Sequence, residues 1–476
     1  MRRHLFAAAV LLVSLSGTSG RGDFQPANAP AQPRVDPTAQ LLADLIRIDT
    51  SNPPGHEQRI ADFLGPKFSA LGFQTEIVPT PEAGKAALFA RLKGDGSRKP
   101  ILLAAHADVV GVEREKWSVD PFAGIVRDGK VIGRGAIDFK GGMAVFARAV
   151  MMLAENRVPL SRDVIFLAEP DEEAAQYNTT WLAQNKWPAM ECEFALNEGG
   201  WIIKGEDGRV KYVSISTADK SSVIVLVTAR GTSTHASMPR PDSAIFTLSR
   251  AMAKLSQLEL PLDLTPSTRQ FLRALAKTSA APMSGYFETL ADGKNPAAVM
   301  RAAAEVSKDP LLHAIMRTTL APVLLNAGFR SNVIPGTAQA TLNVRIIPGT
   351  DVDALRVTLE RFIGDPLISV TFADPSAAAA AGRGSPSPEA TDLFRALERQ
   401  ARAAFAGAEV TPYLFQAGTD AGAWRTRNVP VYGIYPYAIT AEELTRMHGN
   451  DEQVSVESLR AGTEMIYKTL LDVAAR

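Results

Sequence analysis

Hydrophobic and polar residues along this chain form short blocks that predict helices and strands in alternation. A helical pattern around residues 39–48 stops at the turn cluster Thr50-Ser51-Asn52-Pro53-Pro54, and an amphipathic helix is expected over residues 57–71. Downstream, strands are expected at 75–78, 88–92, 101–105, 164–168 and 194–196, and helices at 141–155 and 180–185. This alternation predicts an α/β sheet with helices on its faces.

A second pattern begins near residue 219. The order strand, helix, two strands, helix and strand is expected at 222–229, 242–258, around 339–347, 352–362 and 367–372. It predicts a two-layer α+β unit of ferredoxin-like pattern. A proline-punctuated helical stretch covers about 260–325, and residues 374–388 have the composition of a linker back to the first sheet, which residues 389–476 would complete.

The first residues have the pattern of an export signal. Arg2 and Arg3 supply positive charge, and the apolar run from Leu5 to Leu15 is too short to span a bilayer. Residues 20–36 are rich in Gly, Pro and Ala, which is typical of a tether. We therefore expect an exported protein, periplasmic or secreted, with no stable membrane insertion.

Composition narrows the functional classes. A chain of 476 residues is long enough for two or three domains, and 46% hydrophobic with 21% charged residues is typical of a globular protein. Lys plus Arg equals Asp plus Glu, at 51 each, so the net charge gives no basis for binding nucleic acid. Cys192 is the one cysteine, which excludes an internal disulfide and a zinc cluster of thiolates.

Candidate chemistry is concentrated where predicted strands end. The apolar run at 101–105 ends in His106, and Asp108 follows two residues later. Side chains i and i+2 of an extended chain point the same way, so Asp108 can orient the imidazole and raise its basicity. The pair Glu172-Glu173 and Glu198 also follow strand-like runs, and ligands of such sheets collect beyond the carboxyl ends of the strands.

Two more positions complete a candidate metal set. Asp138 lies in a Gly-rich loop at 133–142, and His448 lies close to the C-terminus. Two imidazoles with three carboxylates suit a pair of zinc ions, with one carboxylate bridging them and a fourth free to act as a base. The members of this set are His106, Asp138, Glu172, Glu173, Glu198 and His448.

Other catalytic motifs do not occur in the sequence. Asp138 occupies the position at which a dinucleotide-binding fingerprint requires its last glycine. The phosphate-binding loop and the Gly-x-Ser-x-Gly elbow are both missing. The sequence therefore has neither the nucleophile motif of a serine hydrolase nor a cysteine that suits a thiol hydrolase.

These motifs carry a resemblance to a known family. The segments His106-Ala-Asp-Val-Val, Asp120-Pro-Phe and Gly133-Arg-Gly-Ala-Ile-Asp-Phe-Lys-Gly-Gly resemble the zinc-peptidase family of carboxypeptidase S, aminoacylase, acetylornithine deacetylase, succinyl-diaminopimelate desuccinylase and glutamate carboxypeptidase. The segment Gly231-Thr-Ser-Thr-His235 is similar to the family's lid motif. Segments from Arg317-Thr-Thr to Asn343-Val-Arg345 resemble the carboxypeptidase S branch most closely.

The resemblance covers roughly residues 36–476 and implies a fold and a domain order. It implies a zinc-exopeptidase-like α/β catalytic domain, with a central mixed sheet flanked by helices, and an inserted α+β ferredoxin-like lid or dimerisation domain. The expected ranges are 1–35 for the signal and tether, 36–218 for the first catalytic part, 219–376 for the lid with its insert at about 260–325, and 377–476 for the second catalytic part.

The resemblance also implies roles for the metal set. One zinc ion would be bound by His106, Asp138 and Glu198, and the other by Asp138, Glu173 and His448. Cobalt or manganese could replace zinc at both sites. Asp108 would orient His106, and Glu172 would be the general base.

Further roles follow on the substrate side. His235 would reach the active site of the partner subunit in a homodimer and stabilise the oxyanion. Arg345, with Asn332, would bind a substrate carboxylate, and Gly418 and Thr419 would line the same pocket. Two alternatives stay open here: His235 could be a surface-loop residue, and Arg345 could form a local ion pair.

The implied function is amide hydrolysis by a dinuclear zinc metallopeptidase or amidohydrolase of carboxypeptidase or aminoacylase type. The substrates would be N-acyl amino acids or small peptides with a free carboxylate. Two departures from the family pattern concern this pocket: Asn197 replaces an Asp, and Ala174-Ala-Gln-Tyr-Asn follows Glu173 where Gly-rich sequence is usual. A non-catalytic metal- or peptide-binding protein on the same scaffold is the alternative.

Overall fold

The computed structural model describes residues 36–476, so the export signal and tether predicted over 1–35 lie outside the described residues. The elements of the first part are, in chain order, α1 Pro37–Ile46, α2 Gln58–Ala70, β1 Gln74–Pro79, β2 Ala86–Leu92, β3 Ile101–His106, a 3-10 helix Arg114–Lys116, β4 Ile125–Arg127, β5 Lys130–Ile132, α3 Lys140–Glu155, β6 Val164–Glu169, α4 Thr179–Asn185, α5 Trp187–Met190, β7 Phe194–Asn197, β8 Ile202–Lys204 and β9 Val210–Asp219.

The middle of the chain forms a second group of elements. They are β10 Ser221–Arg230, β11 Thr234–His235, α6 Ala244–Leu255, α7 Pro266–Thr278, α8 Met283–Asp292, α9 Pro296–Val306, α10 Pro310–Ile315, β12 Thr319–Ala327, β13 Val333–Ile334, β14 Thr337–Ile346, α11 Val352–Ile363, β15 Ile368–Phe372 and α12 Pro375–Ala380. The last part contains α13 Asp392–Ala404, β16 Glu409–Phe415, α14 Gly422–Arg425, β17 Val431–Gly433, β18 Ala438–Ile439, α15 Ala441–Leu444, β19 Gln453–Ser455 and α16 Val456–Ala474.

The larger sheet of the described chain is a mixed sheet of ten strands, which confirms the predicted α/β fold. Its order is β1-β2-β6-β3-β7-β17-β9-β8-β18, with β16 paired to β9. At its centre, β3 runs parallel to both β6 and β7, and every residue of β3 is buried. Parallel strands need cover on both faces, and α3 packs on β3 and β6, with α1 and α16 packed against α3 in turn. The carboxyl ends of β3, β6 and β7 therefore meet at one edge.

The smaller sheet forms the predicted α+β unit. Its four antiparallel strands have the order β12-β14-β10-β15. Alternate residues of β14 are buried, because one face of the sheet packs against α6 and α11 while the other does not. Leu342 and Val344 belong to the packed face, so Arg345 belongs to the opposite one.

The helical insert differs from the prediction in length and packing. Helices occupy only α7 to α10, and the apolar run after them is β12, the edge strand of the smaller sheet. Amphipathic α7 packs on β16 and β9 of the larger sheet, where the Phe271 ring lies 5.3 Å from that of Tyr212 and 4.8 Å from that of Tyr413. The buried face of α7 thus extends the first core, although the chain around it builds the smaller unit.

The predicted linker at 374–388 also contains regular structure. Asp374 accepts hydrogen bonds from Ser376 and Ala377, and the alanine run behind it forms α12. Alanine favours helix, and an N-terminal carboxylate satisfies the first free amides. Among the helices of residues 36–476, none combines the length and apolarity needed to span a bilayer.

Candidate metal centre

Three strand ends bring part of the candidate set together. His106 is the last residue of β3, Glu172 and Glu173 lie in the turn after β6, and Glu198 directly follows β7. Because β3 is hydrogen-bonded in parallel to both β6 and β7, these side chains emerge at the same edge. The structure therefore supplies the physical reason for the strand-end pattern in the sequence.

Asp138 and His448 reach this edge through a small sheet of β19, β5 and β4. Pairing of β5 with β19 places the Gly-rich loop after β5 beside the chain before β19. There Glu452 accepts hydrogen bonds from the amides of Ile137 at 2.6 Å and Asp138 at 2.9 Å, and from Arg134 Nη1 at 2.7 Å. The loop that carries Asp138 is thus fixed to the segment that carries His448.

The carboxylate of Asp138 lies between the two imidazoles. His106 Nε2 is 3.2 Å from Asp138 Oδ1, and His448 Nε2 is 3.0 Å from Asp138 Oδ2. Glu198 Oε2 is 3.6 Å from His106 Nε2, and Glu173 Oε1 is 3.3 Å from His448 Nε2. Each imidazole therefore has its own acidic neighbour and shares Asp138 with the other.

The donor set fits divalent metal ions. Two overlapping groups, His106 with Glu172 and Glu198, and His106 with Asp138 and Glu173, each have ligand atoms within 4.8 Å of one another. Glu173 Oε1 is buried and accepts no hydrogen bond from the described residues. Nitrogen and carboxylate donors at this density are what zinc and similar ions prefer.

Electrostatics at the centre favour a bound cation. Burial raises the pKa of Glu198 to about 7. Burial and the nearby charge of Glu198 raise the pKa of Glu172 well above its ordinary value. Carboxylates crowded in a buried space repel one another, and a positive charge among them would relieve that repulsion.

Asp108 has a wider role than the sequence predicted. His106 Nδ1 lies 3.0 Å from the backbone oxygen of Asp108 and 3.5 Å from its carboxylate. The carboxylate accepts hydrogen bonds from the amides of Glu172 at 3.2 Å and Glu173 at 3.0 Å, and from Asn52 Nδ2 at 2.8 Å. Asp108 therefore holds both the imidazole and the backbone of the Glu172-Glu173 turn.

A buried polar network behind this turn was missed by sequence reasoning. Asn52 Nδ2 donates to Asp171 Oδ1 at 2.7 Å, and Lys85 Nζ, with a side chain only 3% exposed, donates to the same oxygen at 2.5 Å. The other carboxylate oxygen of Asp171 accepts from the Tyr177 amide at 2.6 Å. Asn52 and Asp171 stand in motifs visible in the sequence, whereas Lys85 has no signal at all.

Tyr435 is a second residue that the sequence did not reveal. Its hydroxyl lies 2.9 Å from Glu198 Oε2 and 3.1 Å from Asp138 Oδ1. Its ring stacks on Trp201, with centroids 4.4 Å apart and planes 12° from parallel. Tyr435 thus links two of the carboxylates and has its own position fixed by packing.

On the substrate side, the structure brings Arg345 close to the 418–419 loop. A side-chain carbon added at Gly418 would lie 3.4 Å from Arg345 Nη1, so the backbone of Gly418 directly borders the guanidinium. Burial lowers the pKa of Arg345, and the negative charge of Glu172 acts in the opposite direction. The Thr419 hydroxyl donates a hydrogen bond to Asp219 Oδ2 at 2.5 Å, so its proton is already used within the protein.

His235 and Asn332 are not in contact with this cluster in the described chain. His235 is part of β11, which pairs with β13 to form a two-stranded ribbon, and Asn332 directly precedes β13. His235 is exposed, and its Nδ1 lies 2.7 Å from Ser237 Oγ, while the backbone oxygen of Asn332 accepts a hydrogen bond from Ala236. Their predicted roles stay predictions.

The two departures from the family pattern have local explanations. Asn197 is buried, and its side-chain oxygen accepts from the Glu198 amide at 2.5 Å, which fixes the start of that segment. In the loop after Glu173, Asn178 Nδ2 donates to Asp420 Oδ1 at 2.7 Å. These polar residues are used to hold backbone and a neighbouring acid in place.

A mixed α/β sheet, a smaller α+β unit, and two imidazoles that share the carboxylate of Asp138 beside further acidic residues are typical of metal-dependent hydrolases. The comparison with known families is more specific, because residues 102–472 match the model of peptidase family M20/M25/M40. The chain belongs to this family. The predicted family is therefore confirmed.

Individual relatives agree with this assignment. The human protein named N-fatty-acyl-amino acid synthase/hydrolase PM20D1 is 28% identical over 397 residues, which are 80% of this chain and 76% of the human one. A Dictyostelium discoideum protein named Probable carboxypeptidase S-like 2 is 28% identical over 384 residues, covering 78% of this chain and 71% of its own.

A solved structure supports the fold. The M20 family metallo-carboxypeptidase Sso-CP2 from Sulfolobus solfataricus superposes with a TM-score of 0.66 at 16% identity, covering 91% of this chain and 98% of that one. At this identity the likeness concerns the fold. Family membership and enzyme-named relatives together place this protein among the metallopeptidases and amidohydrolases.

Proposed function

We propose that this protein cleaves the amide bond of N-acyl amino acids, or the C-terminal peptide bond of small peptides, with the help of two metal ions. One observation carries the proposal: Asp138 lies between two imidazoles, each of which has a further acidic neighbour. The names of the human and Dictyostelium relatives, an N-fatty-acyl-amino acid synthase/hydrolase and a probable carboxypeptidase S-like protein, support these two substrate classes.

The metal ions would be held by residues of the described cluster. His106, Asp138 and Glu198 suit one ion, and Asp138, Glu173 and His448 suit the other, with zinc as the proposed metal and cobalt or manganese as possible substitutes. When bound, such a pair supplies Lewis acidity and makes water a stronger nucleophile at neutral pH, since its pKa falls from ~15.7 towards ~7.

Glu172 is the proposed general base. Its carboxylate lies within 4.8 Å of the ligand atoms of His106 and Glu198, and neither of the two ligand sets proposed above includes it. Burial and the charge of Glu198 raise its pKa, so its carboxylate accepts a proton readily. Glu172 takes a proton from the attacking water and returns it to the leaving amine, a contribution of roughly 10²–10⁴-fold.

Arg345 is the proposed anchor for the substrate's free carboxylate. Its side chain belongs to β14 of the smaller sheet, called the lid sheet below, on the face that does not pack against α6 and α11. There it lies beside Gly418 and close enough to Glu172 for their charges to interact. A guanidinium can donate two parallel hydrogen bonds to a carboxylate. With Asn332, Arg345 would select substrates that end in a free carboxylate, which favours exopeptidase action.

His235 is proposed to act across a homodimer. It is exposed on the lid ribbon and has no contact with the cluster of its own chain. The edge strand β12 presents Val323, Leu324 and Leu325 to solvent, and an exposed apolar edge strand favours pairing with another chain. In the partner's site, the His235 imidazole would stabilise the oxyanion.

The cellular location is proposed from the N-terminal sequence alone. Arg2, Arg3 and the apolar run that follows them support export to the periplasm or beyond the cell. Detection of the chain only in the cytoplasmic fraction of its host would contradict export.

The decisive experiment combines metal analysis with a substrate panel. Protein loaded with zinc or cobalt is assayed on N-acyl amino acids and dipeptides, next to the same compounds with their carboxylates amidated. We expect about two metal ions per chain. We also expect hydrolysis of the compounds that have a free carboxylate and none of their amidated forms. Metal binding without turnover on the panel would favour a non-catalytic binding protein, and hydrolysis of the amidated compounds would contradict the role of Arg345.

A further inference from the structure

A cavity behind the lid sheet is separate from the metal centre. Its volume is about 330 Å³, and most of its wall is apolar, including Leu255 of α6, Leu320 of β12 and Leu342 of β14. Leu342 is on the packed face of the lid sheet, whereas Arg345 is on the opposite face. A ligand in this cavity would therefore not share the substrate site.

A buried guanidinium lies in the wall of this cavity. Arg317 is only 4% exposed, and its Nε is buried with no hydrogen-bond partner in the described chain. Its Nη1 donates to Glu259 at 3.3 Å, a long contact with a carboxylate that is itself 77% exposed. A buried donor without a partner costs free energy, and the guanidinium of Arg317 can still donate hydrogen bonds to a ligand.

Arg317 is the one lysine or arginine among the described residues that line the cavity. Behind it, Lys220 Nζ is buried and donates to the backbone oxygen of Arg317 at 2.7 Å, and burial lowers the pKa of Lys220 to about 7. Burial lowers the pKa of the neighbouring His313, and so does the positive charge of Arg317, whereas the charge of Glu259 acts in the opposite direction. Glu259 is the one acid among the lining residues, and its exposure allows it to be displaced.

We propose that this cavity binds an organic monocarboxylate, whose carboxylate replaces Glu259 on Arg317 and whose hydrocarbon part packs on the leucine wall. The fork of a guanidinium matches a carboxylate through two parallel hydrogen bonds. Ligand pockets usually measure ~300–1,000 Å³, so the volume here suits a short-chain or single-ring acid. The ligand would contact both α6 of the lid and the end of the helical insert, which packs on the larger sheet.

The test measures binding of hexanoate and of neutral hexanamide to the metal-loaded full-length protein by titration calorimetry. We expect saturable binding of hexanoate and at least tenfold weaker binding of hexanamide. Glu259→Gln removes the competing acid from the surface and should tighten hexanoate binding severalfold. Leu320→Trp should fill the cavity and abolish binding, whereas Leu324→Trp, on the exposed part of the same strand, should leave it unchanged.

Two more variants separate this site from the catalytic one. Arg345→Gln should remove only hexanoate that binds at the substrate site, and it should leave unchanged the binding event that Leu320→Trp abolishes. Arg317→Gln should weaken that event at least tenfold if the variant folds. The proposal is overturned if hexanoate does not bind, if hexanamide binds equally well, or if binding responds to Arg345→Gln but not to Glu259→Gln and Leu320→Trp. None of these outcomes depends on which substrate the metal centre hydrolyses.

Discussion

The metal cluster is buried and held by many hydrogen bonds, whereas the two-stranded ribbon of β11 and β13 carries its predicted functional residue in an exposed position. Family motifs indicated functional residues in both. In the cluster, side chains from strand ends and fixed loops converge. Neighbouring carboxylates fix the backbone there by accepting hydrogen bonds from its amides: Glu452 accepts from the Asp138 loop, and Asp108 accepts from the Glu172-Glu173 turn. In the ribbon, the side chain of His235 is exposed, and its hydrogen bonds among the described residues are with Ser237.

This difference shows which part of the site a single chain can preorganise. Charged groups that must stay close in a buried place need many fixed partners, and the larger sheet supplies them. A group that meets the substrate only after closure or assembly can stay exposed until then. Substitutions in the cluster should therefore act within one chain, while those in the ribbon should act between chains.

The largest expected effect is at Glu172, which tests the catalytic side of the comparison. Glu172→Gln keeps the volume but removes the base, so kcat should fall by roughly 10²–10⁴-fold. Metal content should be unchanged, because neither proposed ligand set requires Glu172. Glu206→Gln, a change at an exposed acid, is the control and should keep full turnover. Full turnover of Glu172→Gln would remove Glu172 from the base role.

The next effect is at His235 and tests the exposed side. His235→Ala should lower kcat by roughly 10²–10³-fold, as expected for loss of an oxyanion donor. Mixed with inactive Glu172→Gln under conditions that allow subunit exchange, it should regain about a quarter of wild-type activity, because half of the dimers then contain one intact composite site. If the mixture stays as inactive as its components, His235 does not act in the partner's site.

A smaller effect is expected from the network that supports the cluster. Asn52→Ala removes the amide that links Asp108 with Asp171, so the Glu172-Glu173 turn loses part of its support. Loss of such outer partners typically costs ~10–100-fold in metal affinity or activity. Metal affinity and kcat should both fall, with KM nearly constant. A change confined to KM would mean that Asn52 serves substrate binding instead.

The smallest effect concerns stability and pH. Burial, and then the charge of Asp108, raise the pKa of Glu57 to about 7 from 4.5. A raised carboxyl pKa stabilises the fold below pH 4.5, and this stabilisation is lost as pH rises through 7. The free energy of unfolding of Glu57→Gln, relative to that of the wild type, should therefore increase from pH 5 to pH 8, by on the order of 1–3 kcal/mol.

Urea unfolding of metal-loaded protein at several pH values measures this difference. Glu206→Gln serves again as the matched exposed control, and its stability difference should stay flat with pH. A flat profile for Glu57→Gln would show that Glu57 is ionised without cost in the folded state.

Much of the cluster could be predicted because its residues follow strand-like runs. His106 ends β3, Glu172 and Glu173 lie in the turn after β6, and Glu198 directly follows β7. Parallel pairing of these strands brings the four side chains to one edge. Lys85 and Tyr435 could not be found this way. Their partners are far along the chain, and neither stands in a motif of its own.

The sequence by itself determined the alternation of strands and helices, the strand-end acids and imidazoles, and the family motifs, because these depend on local pattern and short spacing. Only the tertiary structure decided that α7 covers the larger sheet, that β12 becomes an exposed edge, and that Asp138 lies between His106 and His448. Such outcomes depend on which apolar faces and which distant loops meet, and that choice is made by packing of the whole chain.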